Sequence, residues 1–383
     1  MKRLLVFGIS ESPGGVENFL LNYYRHVDRD RLQFDFLFGF PDKAAYEDEL
    51  IHLGARTFHI TARRKGFLRY RKELDEVFRE HASEWSAMWL NVCSVINIDY
   101  LKIAKRYGIK KRVIHSHNRR YVQGLSRRLF HEWNRGRLGK YATDYWACSM
   151  EAARYLYKKE LLSNAQIIRT AIDVDGLAFN MQKREQLRKT LGINENTFVI
   201  GNIGRFHYEK NQGFVIDVFK EYSKLDPDSY LVLIGDGVDR EKLRRKASDI
   251  EDKVLFAGFQ EDIQGWLSAF DFFLFPSLCE GFGMSALEAQ ANGLPVLASS
   301  QVIPEGLKIT NDFEFLSLSC ETKRWAQKIW DYRGDHMCQD SKLRESLETR
   351  NSIRMKDDIK NLFRERGFDI TVEAGILEKF FMQ

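Results

Sequence analysis

Short apolar runs alternate along this chain with longer charged stretches in which apolar residues recur every three or four positions. Leu4-Leu5-Val6-Phe7-Gly8 opens the series, followed by Gly14-Gly15 and then by Val16, Phe19, Leu20 and Tyr23 at helical spacing. That order reads as strand, glycine loop and helix. Further apolar runs at Phe34 to Phe38, Thr57 to Ile60, Ala87 to Leu90, Val113 to His115 and Tyr145 to Cys148 are separated by amphipathic segments of helix length. Strands alternating with helices predict a parallel sheet covered on both faces. The alternation restarts after residue 190, with runs at Phe198 to Ile203, Tyr230 to Ile234, Val254 to Ala257, Phe272 to Phe275 and Pro295 to Ala298. A second sheet of the same kind is expected.

Between the two series, Asp173, Asp175 and Gly176 break the pattern. The expected division is an N-terminal domain over 1–180, a C-terminal domain over 181–365, and a closing helix over 366–383. Ile370, Val372, Ile376, Leu377 and Phe380 form an apolar stripe on that helix, which must bury against something and is expected to pack near the N-terminal domain. Doubly wound sheets bind ligands at the carboxyl ends of their strands, so two of them facing one another predict a deep interdomain cleft.

Composition narrows the class. A chain of 383 residues with 44% hydrophobic and 30% charged residues and 6 prolines is neither disordered nor collagen-like. No stretch reaches the roughly 18 to 20 uncharged apolar residues of a membrane span, and Met1 to Phe7 is too short for a signal peptide, so a cytoplasmic protein is expected. The five cysteines (Cys93, Cys148, Cys279, Cys320, Cys338) are scattered, without a Cys-x-x-Cys pair, and read as reduced thiols. The net charge of +5 hides an asymmetry: residues 101–140 hold thirteen Lys or Arg against the single acid Glu132. Such a block is either a solvated face or the footprint of an anionic partner, whether nucleic acid, membrane surface or phosphorylated lipid.

The strongest chemical signal runs from Phe275 to Ala289, Phe-Pro-Ser-Leu-Cys-Glu-Gly-Phe-Gly-Met-Ser-Ala-Leu-Glu-Ala. After a strand, Gly281 and Gly283 let backbone pass close to a ligand, and a helix is predicted from Met284 to a stop at Gly293. Free N–H groups and the helix dipole at such a start suit a diphosphate. Glu280 in the loop and Glu288 on the second helical turn can reach different parts of one elongated ligand, such as a sugar and a ribose.

Here the sequence resembles family 4 of the retaining glycosyltransferases, whose signature is two glutamates seven residues apart around a Gly-Phe-Gly loop. The resemblance spans nearly the whole chain. It implies that Arg205, after Gly204, and Lys210 meet the donor diphosphate, where a guanidinium fork and a point charge neutralise a leaving group. It further implies that Gly258 and Phe259 lie near the nucleotide base, that Phe282, Gly283 and Met284 border the donor, and that Gly14 and Gly15 approach the donor phosphates and the acceptor. His117, in Ile114-His115-Ser116-His117-Asn118, falls where the family often has a histidine near the transferred sugar; His115 is expected on the opposite side of the strand. Asp173-Val174-Asp175 resembles a metal-binding Asp-x-Asp, but the Arg205 and Lys210 cations already supply charge, so no metal and no cofactor are expected.

The resemblance therefore implies an α/β protein of GT-B architecture with two facing Rossmann-like domains. It also implies transfer of a hexose, with retention, from a nucleotide-diphosphate sugar such as a UDP-sugar to a saccharide hydroxyl. Similarity along Val302 to Trp325 to members that build bacterial capsular and extracellular polysaccharide suggests a lipid-linked acceptor at the inner face of the membrane. Within 101–140, Val122, Leu125, Leu129 and Trp133 form a helical stripe flanked by Arg119, Arg120, Arg127, Arg128, Arg135 and Arg137, a pattern expected at an anionic membrane surface rather than on nucleic acid. A nucleotide-sugar epimerase of the same fold and a non-catalytic sugar- or nucleotide-binding protein are the alternatives.

Overall fold

A computed structural model describes residues 1–117, 124–280, 282–337 and 340–383, with side chains left aside at 337 and 340–344. The chain divides into two compact units, one formed by 1–172 with 370–383 and the other by 173–369. Each is built on a parallel sheet.

In the first unit the strands are β1 (Lys2–Phe7), β2 (Leu32–Phe38), β3 (Arg56–His59), β4 (Trp85–Val92), β5 (Lys111–Ser116), β6 (Asp144–Ala147) and β7 (Ala165–Ile167), in the spatial order β3-β2-β1-β4-β5-β6-β7. The strand residues divide between two cores by alternation. Leu5, Met88, Leu90 and Ile114 face one layer of helices. Leu4, Val6, Trp89 and Val113 face the other. Burial on both faces is what turns these strands into nearly continuous apolar runs. The C-terminal helix Ile370–Met382 belongs to this second layer: Ile370, Ala374, Leu377 and Phe381 are buried in it. Lys2 Nζ donates to Met382 O (2.7 Å) and Lys111 Nζ to Phe380 O (2.6 Å), placing cations at the helix's carboxyl end, where its dipole favours them.

The second unit holds β8 (Phe198–Ile203), β9 (Ser229–Ile234), β10 (Val254–Gly258), β11 (Phe272–Phe275), β12 (Val296–Ser299) and β13 (Phe313–Leu316), ordered β10-β9-β8-β11-β12-β13. Residues 173–180, expected on the N-terminal side of the division, are part of this unit, as are 366–369. Local bonds explain the difference. Asp173 Oδ1 caps the Val174–Leu177 turn by accepting from Gly176 N (2.8 Å), Asn292 Nδ2 donates to Leu177 O (2.8 Å), and Asn180 N donates to Ser268 Oγ (3.1 Å). Asp175 pairs with Lys360.

A buried ionic cluster holds the centre of this unit. Asp271, just before β11, accepts from Val199 N of β8 (2.8 Å), from Arg184 Nη2 (2.8 Å) and from Arg188 Nη1 (3.2 Å). Burial works against the carboxylate's charge, yet the two guanidiniums hold its pKa below the usual range. Both arginines are fully buried, and their Nη groups also donate to main-chain carbonyls, among them Ser268 O, Ala269 O and Asn194 O.

Removing one partner of such a cluster leaves uncompensated buried charge, which typically costs about 3–5 kcal/mol. Asp271→Asn should therefore lower the unfolding free energy of the second unit, read from denaturant titration, by an amount of that order; a loss below about 1 kcal/mol would show the carboxylate to be dispensable. Because the folded pKa is depressed, the contribution is present above the unfolded carboxylate value, about 4, and is lost as pH falls through the folded one. The gap between wild type and variant should thus persist at neutral pH and narrow only in acid.

Candidate active site

In the second unit, β9 lies on one side of β8 and β11 on the other, so the topological switch falls between β8 and β11. Loops leaving the carboxyl ends of that pair are where open α/β sheets place ligands. Gly204, Arg205 and Lys210 follow β8, and Glu280 and Phe282 follow β11. The β8 loop is pressed against the turn after β9: Gly204 N donates to Ile234 O (2.9 Å), and a Cβ at Gly235 would collide with Gly204 O.

Lys210 and Glu280, expected on different parts of one ligand, are bonded to each other. Lys210 Nζ donates to both carboxylate oxygens, at 2.6 and 2.8 Å. Ser277 Oγ also donates to Glu280 Oε1 (2.7 Å), and Ser277's own carbonyl accepts from Ser299 Oγ (2.6 Å). Asn211, in the left-handed region at φ 57°, closes the assembly from the other side by donating Nδ2 to Pro276 O (3.1 Å), while Leu278 N donates to Glu209 O (2.7 Å). The loops after β8 and β11 are thus joined at several points, and Glu280 is held in one orientation before any substrate arrives. Arg205 is exposed beside them.

Gly283 is the N-cap of the Met284–Ala291 helix at φ 99°, a conformation that disfavours side chains, and a Cβ there would also crowd Leu307 Cδ2 at 2.9 Å. Gly283 brings no capping side chain, so the helix's leading N–H groups can take an anion. Glu288 lies on the second turn. Burial pushes its carboxyl up to about 7, so it gains or loses its charge near neutral pH. Gly258 has φ 71°, and Phe259 beside it presents an open ring, 65% exposed, of the kind that can stack on a base. Phe282 packs its ring against Phe368, centroids 5.3 Å apart. Gly281 lies outside the described residues.

In the first unit, Gly14 is the N-cap of the Gly15–His26 helix after β1, and a Cβ on Gly15 would meet nothing within 4 Å. Glu17 turns back to accept from Ser10 N (3.0 Å), which pins this loop. His117 follows β5. Its Nε2–H donates to Asn91 Oδ1 (2.7 Å), because Asn91 Nδ2 is committed to Phe7 O and Trp89 O. Burial lowers its pKa to about 3, so the ring is neutral, and with the proton on Nε2 its Nδ1 is the acceptor nitrogen. His115 corrects one expectation. Side chains two apart share a strand face, so it lies on the same side as His117, with ring centroids 4.1 Å apart. It is fully buried and stacked on Trp89 at 6.0 Å, a packed residue. Asn118, Arg119, Arg120, Tyr121 and Val122 lie outside the described residues.

Asn91 and Ser277 carry roles that the sequence reading did not assign. A polar residue near the carboxyl end of a largely apolar strand, and a hydroxyl three residues before a functional glutamate, are the signals that mark them.

A profile for "Glycosyl transferases group 1" matches residues 183–332, within the second unit. The protein named "Putative glycosyltransferase EpsF" of Bacillus subtilis (strain 168) is 30% identical over 340 residues, covering 86% of this chain and 87% of that protein. An Escherichia coli enzyme, UDP-Gal:alpha-D-GlcNAc-diphosphoundecaprenol alpha-1,3-galactosyltransferase, is 31% identical over 153 residues, 39% of each chain. Among solved structures, Anabaena Alr3699/HepE in complex with UDP and glucose superposes with a TM-score of 0.75 over 99% of both chains at 18% identity, a likeness of fold. With identity sustained along most of the sequence and two parallel α/β units of the GT-B kind, the chain belongs to the group 1 glycosyltransferases.

Proposed function

We propose that this glycosyltransferase moves a hexose from a UDP-sugar to a saccharide hydroxyl, with retention at the anomeric carbon. The acceptor proposed is a lipid-linked intermediate of polysaccharide synthesis at a membrane surface. The observation that carries the reading is the Lys210–Glu280–Ser277 assembly at the β8/β11 switch, with Arg205 and an uncapped helix start on the same sheet edge. Uridine and lipid diphosphate both appear in the name of the E. coli relative, and UDP is bound in HepE.

Each group then has a task. Arg205, the Met284 helix start and Lys210 would neutralise the departing diphosphate; an ammonium has three N–H donors, so Lys210 can keep Glu280 and still reach a phosphate oxygen. Glu280 orients the sugar hydroxyls, Glu288 the ribose, and Phe259 the base. To the first unit we assign the acceptor, with the Gly14–Gly15 turn and neutral His117 as its candidate contacts. In the step itself the acceptor oxygen bonds to the anomeric carbon as the bond to the diphosphate breaks, and the acceptor's proton passes to the leaving diphosphate oxygen. Fixed cations do the work of a metal in this scheme.

Three outcomes test the reading. Arg205→Ala and Glu280→Gln should each lower kcat by about a hundredfold or more while leaving the circular dichroism spectrum unchanged, since losing one contact to developing charge costs about 3 kcal/mol. Near-normal transfer of sugar from a UDP-hexose panel would refute the assignment. Activity should survive EDTA; loss on chelation with recovery on adding manganese would point to a metal. Finally, a carboxylate accepts from both ribose hydroxyls only when ionised, and Glu288 carries a pKa of about 7. Donor KM should therefore rise as pH drops below 7, by at most about tenfold per unit, and the slope should vanish in Glu288→Gln.

A further inference from the structure

The Leu125–Arg135 helix of the first unit is turned against the usual rule. Its buried residues are His131 and Asn134, whereas Leu125, Leu129, Phe130 and Trp133 are 77%, 63%, 55% and 58% exposed. The polar side anchors the helix. Asn134 Nδ2 donates to Val95 O (2.9 Å) and Ile96 O (3.0 Å), and His131 Nδ1 accepts from Val95 N (3.2 Å). These bonds clamp it to the loop that leaves the carboxyl end of β4. At 100° per residue, positions 125, 129, 133 and 130 span one arc, and 131 and 134 occupy the arc opposite. An apolar face is thus held outward by specific hydrogen bonds, beyond what scattered surface hydrophobics require.

The charges around that face select its partner. Arg127, Arg128 and Lys140 are exposed, Arg137 lies with its guanidinium 4.2 Å from the Trp133 ring centroid, and Glu132 is the only acid between 124 and 140. A second copy of this chain would bring the same patch onto itself, setting arginine against arginine. An anionic lipid surface has the opposite charge, accepts leucine and phenylalanine among acyl chains, and suits a Trp–Arg pair at headgroup depth. No helix among the described residues is long and apolar enough to cross a membrane.

We infer that the Leu125–Arg135 helix is an interfacial anchor that seats the first unit on an anionic membrane, burying Leu125, Leu129, Phe130 and Trp133 while its arginines meet lipid phosphates. The inference rests on the membrane-surface reading above and names the surface that performs it.

The test uses the full chain with vesicles of phosphatidylcholine alone or mixed with phosphatidylglycerol. Binding should favour the mixed vesicles and weaken with salt. Leu129→Ser combined with Trp133→Ser should reduce the bound fraction about tenfold or more. Arg127→Glu with Arg128→Glu should remove the preference for anionic lipid. Quenching of tryptophan fluorescence by brominated lipid should be largely lost in Trp133→Phe. Hydrolysis of a UDP-sugar in the absence of membranes should be unchanged in every variant. Equal binding by wild type and the serine variant overturns the inference, as does a dimer in sedimentation velocity that those serines abolish while no vesicles are bound. Vesicle binding without sugar transfer would refute the catalytic reading alone, and transfer without vesicle binding this one alone.

Discussion

The second unit depends on one buried carboxylate. Asp271 joins the amino end of β11 to β8 through Val199 N and anchors Arg184 and Arg188 of the Met181–Leu191 helix. Strands β8 and β11 share only a short stretch of pairing, Phe272 with Ile200 and Phe273 with Gly201, reinforced by Asn202 Nδ2 donating to Leu274 O (2.9 Å). Side-chain bonds therefore set much of their register. From the far ends of these two strands come Arg205, Lys210 and Glu280. A slip of one residue would reverse every side chain's face and pull the Lys210–Glu280 contact apart.

Such a site is organised in advance. Lys210, Ser277 and Asn211 fix the loop that presents Glu280 through bonds that need no ligand, so less ordering remains to be done when a donor arrives. Glu288 differs, since burial pushes its carboxyl up to about 7 and no ion pair among the described residues holds its charge, so its protonation responds to what binds. The two glutamates have the same chemistry and different environments, which is how one pair of residues can serve a rigid contact and an adaptable one.

Much of this was legible in the residues themselves. Parallel strands buried on both faces leave near-continuous apolar runs, so the interior strands and the glycine-flanked helix start were readable directly. Two of the four edge strands, β3 and β10, were readable in the same way, but β7 and β13 were not. At β7, Ala165-Gln166-Ile167 is three residues with a polar centre, and at β13, Phe313-Glu314-Phe315-Leu316 is short and carries a charge; both are defined by the neighbour they pair with. Within the site, the glycine loop pointed to Glu280 and the family resemblance to Arg205 and Lys210, while the bonds among them, and those of Asn91 with His117, arise between distant segments that no spacing rule connects. The 125–133 stripe was visible as a period, but its outward direction depends on where His131 and Asn134 find partners on the β4 loop.

The closing helix also has a consequence for the order of assembly. Ile370 N donates to Ile172 O (3.0 Å), so the chain leaves the first unit and re-enters it at adjacent points, having made the whole second unit in between. Trp89, Trp146 and Phe34 lie in a layer that Leu377 and Phe381 complete. During synthesis the segment over 1–172 emerges first and must wait with that layer uncovered, while 173–369 has all its own contacts in hand as soon as it clears the ribosome. The half of the protein that is translated first is thus the last to be finished.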